Sequence, residues 1–154
     1  MATTFTQITE QTDVSYQVMN DLTDEIVVAI DAVPTPGTIA ITAGETLADG
    51  EAVYPNASGK MVKAKADAHA TAKAIGLSIG SINNNAAGSI RSGGVFTKSS
   101  WAWTAGDLIF LSAATAGALT QTEPTTGVSC TMGIAITATS MLVLPMMRYV
   151  GIDV

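Results

Sequence analysis

The sequence predicts an all-β protein, a compact barrel or sandwich of short strands with a duplicated hairpin unit and an N-terminal arm. Three observations carry this. From Thr38 onward, short apolar or β-branched runs alternate with clusters of Gly, Pro, Asn and Ser, the punctuation of strands and turns. A strand–turn–strand pattern occurs twice. The one helical candidate, residues 64–74, has no apolar stripe beyond alanine.

Residues 1–37 form the arm and residues 38–154 the β module. The arm carries six acidic residues (Glu10, Asp13, Asp21, Asp24, Glu25, Asp31), no Lys or Arg, and closes on Pro34-Thr-Pro-Gly37, a turn or boundary signal. Within it, Glu25-Ile-Val-Val-Ala-Ile30 reads as one strand. Residues 2–18 are Thr- and Gln-rich, with Phe5, Ile8, Val14, Tyr16 and Val18 spaced among them. Such a segment orders on what it touches rather than on a core of its own.

In the module, strands are expected at 38–42, 52–54, 60–64, 75–79, 94–97, 108–111, 118–120, 133–137 and 141–144. Residues 64–74, rich in alanine and carrying His69, suit either a short helix or a mobile loop with a single turn. Gly88-Ser-Ile-Arg-Ser-Gly-Gly94 reads as a hairpin turn; it lacks the Lys-Ser/Thr ending of a phosphate loop.

The repeat shows in Thr42-Ala-Gly-Glu-Thr-Leu47, echoed by Thr104-Ala-Gly-Asp-Leu108. A strand with an aromatic near its end follows each time, at Ala52-Val-Tyr54 and Leu108-Ile-Phe110. Gly59 and Gly117 then open the return strands, and Gly76 and Gly133 follow 17 and 16 positions later. Glycine before an acid is turn chemistry, so Gly106 and Gly117 are expected to be positions of backbone need.

Of the 154 residues, 47% are hydrophobic and 13% charged, about half the usual charged share. A surface so poor in charge points to oligomerisation. The net charge of -6 and the scattered basic residues argue against a nucleic-acid partner. No apolar run is long enough to span a bilayer, and the start resembles no secretory leader, so synthesis in the cytoplasm is expected. Cys130 stands alone and reads as a small buried hydrophobe.

Nothing along the chain assembles a nucleophile, a base and an acid. His69 is the sole histidine, and no Gly-x-Ser-x-Gly elbow accompanies it. Glu45, Asp49 and Glu51 surround Gly50 and bear oxygens that suit calcium, but without EF-hand spacing they read as turn acids. Asn56-Ala-Ser58 reads as a turn. Trp101 and Trp103, two apart, are expected on one face of a strand, packing into the core or a subunit interface. The expectation is a protein that is not an enzyme, with no cofactor and no metal.

In order, "AGETLADGEAVYPNASGKMVKA", "AIGLSIGSI", "WTAGDLIFLSAATAGALTQTEP" and "TMGIAITATSMLVLP" resemble the small capsid decoration (cement) proteins of tailed bacteriophages. The resemblance covers roughly residues 38–147 and lies in the pattern more than in any single residue. It implies a structural virion protein on the outer surface of a phage head, made in the host cytoplasm. Copies there bind the major capsid protein and bridge its subunits against internal pressure. It also implies a homotrimer, and no catalytic residue. The same module occurs in tail and fibre proteins, so a receptor-binding or adaptor module is the alternative. Capsid or intersubunit contacts are expected from Phe5, Ile8, Val14, Tyr16 and Val18 of the arm and from Trp101 and Trp103.

Overall fold

The chain divides at Thr35/Pro36 into two units. The computed structural model describes residues 37–148 of the second unit, apart from Thr126. The strand expected at 25–30 and the contact residues Phe5, Ile8, Val14, Tyr16 and Val18 lie outside the described residues.

The described residues are all β, in two antiparallel five-stranded sheets. The first sheet comprises β1 (Thr38–Thr42), β2 (Ala52–Pro55), β3 (Met61–Lys63), β4 (Gly76–Ile79) and β5 (Ala87–Arg91), in the order β1-β5-β4-β2-β3. The second comprises β6 (Gly94–Thr97), β7 (Leu108–Leu111), β8 (Leu119–Thr120), β9 (Ser129–Thr137) and β10 (Ser140–Arg148), in the order β6-β10-β9-β7-β8. Neither sheet closes on itself, and apolar side chains of both share one core. Of the two architectures expected, the sandwich is the one found.

Adding five to each strand number of the first order gives the second. The repeat is therefore a whole sheet rather than a hairpin, and its register agrees: Val53 lies opposite Gly76, and Ile109 opposite Gly133. Hydrogen bonds repeat as well. Gly50 N–H donates to the Ser78 carbonyl (2.9 Å) and Ser78 N–H to the Glu51 carbonyl (2.9 Å). Likewise Gly106 N–H donates to the Ala135 carbonyl (2.8 Å) and Ala135 N–H to the Asp107 carbonyl (2.9 Å). The counterpart of Gly106-Asp107 is thus Gly50-Glu51, not the Gly44-Glu45 of the sequence echo. What decides it is that the turn must lead directly into the strand.

Between the sheets lie Ala52 and Leu77 of the first and Phe96, Ile109, Met141 and Val143 of the second, all buried. Each large side chain buried there contributes about 1.5–3 kcal/mol. Ala64, Ala66, Ala72 and Ala74 join the same core. Their spacing by twos is why residues 64–74 make no helix: they are two extended legs joined by a turn, with Thr71 and Ala72 N–H donating to the Ala68 carbonyl.

Ala52 and Val53 point to opposite faces of β2. Val53 and Ile90 therefore build a second core on the outer face of the first sheet, roofed by Ala43, Leu47, Met61 and Ile82. Leu47 and Ile82 exchange backbone hydrogen bonds of 2.8 and 2.9 Å, which pin the roof down.

Three expectations change. Residues 88–91, expected within a turn, belong to β5, between β1 and β4. Small residues suit this strand because Ile82 packs onto Gly88, where a Cβ would meet it at 2.5–2.9 Å. β9 begins four residues earlier than expected, and β10 runs on through Pro145. The proline is tolerated because the β10–β9 register shifts between Val143 and Met146, at the point where a ladder donor is missing.

Candidate functional site

The two halves meet at a corner built around Gly117. Its N–H donates to the Ala64 carbonyl (2.7 Å), and its carbonyl accepts from Ala52 N–H (2.9 Å). Its φ is +76°, and a Cβ would lie 3.1–3.2 Å from the Glu51 side chain. Across the corner, Gly50 has φ +73°, and a Cβ there would press on Lys98 and Trp101 at 3.2–3.3 Å. Both glycines let two walls approach that any other residue would push apart.

Between the walls is an open cavity of about 320 Å³, lined by Gly50, Glu51, Lys98, Trp101, Trp103 and Gly117 among others. Trp101 and Trp103 do not sit on a strand, as the sequence suggested; they lie in the loop between β6 and β7. The chain leaves the ladder after Thr97, with Lys98 N–H donating to the Thr139 carbonyl (2.8 Å) and Trp103 N–H to the Ala138 carbonyl (2.9 Å). Both rings are half-buried and pack on the core between the sheets. Trp101 lies 5.5 Å from Phe96 and 5.5 Å from Trp103, in tilted pairs of the kind aromatic quadrupoles favour. The Trp103 Nε1 is buried with no acceptor among the described residues.

The charged groups beside the cavity are engaged in holding backbone. Glu51 pairs with Lys63 (3.0 Å) and accepts from Ala48 N–H (2.7 Å). Lys98 Nζ donates to the Asp49 carbonyl (2.6 Å). Ser78, fully buried, accepts from Glu51 N–H (3.0 Å) and donates to the Ala48 carbonyl. No sequence signal marked Ser78 or Lys98, because their roles exist only once β4 and the 98–103 loop are brought to the turn.

The acids around Gly50 do not converge. Glu45 accepts from Lys63 N–H (2.7 Å), Asp49 from Gly80 N–H (2.7 Å), and Glu51 acts as above. Among the described residues no three metal-ligating side chains come together. His69 is exposed in the 66–71 turn. Beside it, Lys65 and then Thr71 bond the Asp67 carboxylate and hold its pKa below the usual range. Cys130 is buried in the core between the sheets, and burial pushes its thiol pKa up.

No protein-family model matches the chain, and no curated protein does.

Proposed function

We propose that the chain is a structural protein of a tailed-phage virion, a decoration protein on the outer surface of the head. It binds the major capsid protein, stabilises contacts between neighbouring capsid subunits and works as a homo-oligomer, the number three coming from the family resemblance alone. In this reading it needs no cofactor and does no catalysis, and neither nucleic acid nor membrane is a partner.

Beside that resemblance, the observation that supports the reading is how the polar groups are spent. Asp49, Glu51, Ser78 and Lys98 all bind backbone in the turns, and Glu45 binds the Lys63 N–H of β3. Turns fixed in this way stiffen the β module, and its exposed Val95, Leu108, Ile136, Leu144 and Met146 suit a protein that acts by adhering.

The test is co-sedimentation of the purified chain with expanded heads of its phage prepared without it. Saturable binding is expected, together with greater resistance of the heads to heat. Heads that neither bind the chain nor gain resistance overturn the reading. Removing residues 2–18 should leave the melting of the β module near native yet weaken binding. Ordering that segment costs about 1–2 kcal/mol of backbone entropy per residue, which a partner surface must offset. A truncated chain that fails to fold, or binds as tightly as before, contradicts the role given to the arm.

The second reading, a receptor-binding or adaptor module of tail or fibre, is favoured by the cavity edged with Trp101 and Trp103. A reconstruction of the virion with the chain on the tail would replace the first reading by this one.

A further inference from the structure

We infer that the outer face of the second sheet is where copies of this chain meet, each turning that face toward the same face of its neighbours. The inference rests on the oligomeric part of the proposed function and not on the location at a head.

The face is a continuous apolar field. Val95 of β6 lies opposite Leu142 of β10, Leu142 opposite Ile134 of β9, and Ile134 opposite Leu108 of β7. Residues paired in this way stand on one face, so a single row crosses four strands. Ile136 extends the row along β9, and Leu144 and Met146 extend it along β10. Val95 is 51% exposed, Leu108 48%, Ile136 46%, Leu144 49% and Met146 60%. With Ile134, these side chains leave roughly 500 Å² of apolar area outside, near the top of the range for the largest patch on a monomer. That is also about the apolar share of the ~800 Å² that one partner contributes to a stable interface.

Among the described residues, this face has no cover such as its counterpart has. On the first sheet, Leu47 and Ile82 roof the outer face. In the second half the matching loop turns the other way, and Trp101 and Trp103 pack on the core between the sheets.

Charge selects the occupant. Between Gly94 and Arg148 the chain carries only Lys98, Asp107, Glu123 and Arg148, against four acids and five bases between Thr38 and Arg91. Lys98 is bonded to the Asp49 carbonyl, and Glu123 accepts from the Ser129 hydroxyl. An unlike partner is ordinarily selected by complementary charge, and this face offers little: the apolar row and its extensions hold no charged residue, and Arg148 stands at the end of β10. A second copy meets the row with little like-charge repulsion, even though each chain carries a net charge of -6. About a symmetry axis, the charge-poor halves turn inward and the charged halves outward.

The test is the full-length Ile134→Glu/Ile136→Glu variant, whose two sites are exposed and outside the core. Sedimentation at micromolar concentration should show an oligomer for the wild type. The variant should be a monomer with native circular dichroism, its association weakened ~100-fold or more, since carboxylates buried against each other are costly. Ile79→Glu, an exposed site on the first sheet, should leave the oligomer intact. If the double variant loses its fold, Met146→Glu alone should still shift the equilibrium toward monomer. A folded face variant that remains oligomeric overturns this inference while the oligomeric reading stands. A monomeric wild type overturns both.

Discussion

Gly117 joins three segments through one peptide unit on each side, touching Ala52, Ala64 and the Glu51 side chain. Its positive φ and tight surroundings act together, so a side chain there meets both backbone strain and a wall. Gly106 also has a positive φ (+89°), but nothing lies within 4 Å of where its Cβ would be. Gly117→Val is therefore expected to cost about 1–3 kcal/mol, and Gly106→Val less, from strain alone. Thermal melting checks the order, and an unchanged transition for Gly117→Val would contradict the corner described above. Both positions were legible from glycine's place beside turns. That Gly117 faces Glu51, and so edges the cavity, was not, because the two residues are 66 positions apart.

At the scale of the element, β5 shows what sequence pattern hides. Strands such as Thr38–Thr42 and Leu108–Leu111 could be read because β-branched or large apolar residues fill them. Ala87-Gly-Ser-Ile-Arg91 has one such residue, and its glycine mimics a turn. Only Ile82 packing on Gly88 explains why a gap is wanted there. The first residues of β9, Ser129-Cys-Thr, hide for the same reason, and Pro145 masks the second half of β10. Among the candidate contact residues, Trp101 and Trp103 could be read as packing residues but not as loop residues, since their loop is held at Lys98 and Trp103 by the Thr139 and Ala138 carbonyls, far along the chain. Ile90 is fully buried while Ile39, its partner on edge strand β1, is 42% exposed. Ile90→Ala should cost about 2–5 kcal/mol, and Ile39→Ala within about 0.5 kcal/mol of nothing. Denaturant midpoints of the two variants give the comparison; equal values would mean that the roof over the first sheet is not formed.

Taken whole, the two sheets share one apolar interior, so neither half keeps its buried surface without the other. Residues 37–148 should unfold in one step. Both tryptophans sit in the second half, whereas strands of both halves contribute to circular dichroism in the far ultraviolet. Tryptophan fluorescence and circular dichroism should therefore trace the same transition in urea. An early fluorescence change, with half the ellipticity still in place, would show that the second sheet opens on its own.

The shared strand order also bears on descent. A five-stranded sheet of about 55 residues is near the size at which a chain can just bury enough of itself to fold. Two identical ones laid face to face shield each other, so the ancestor implied by this path is a short gene whose product worked as a pair. Joined in line, the copies no longer had to complement themselves, and each became free to mutate separately. On this path one copy kept most of the charges and gained a roof. The other lost charge and among the described residues gained no roof, and the present chain is an heirloom pair whose members have inherited different trades.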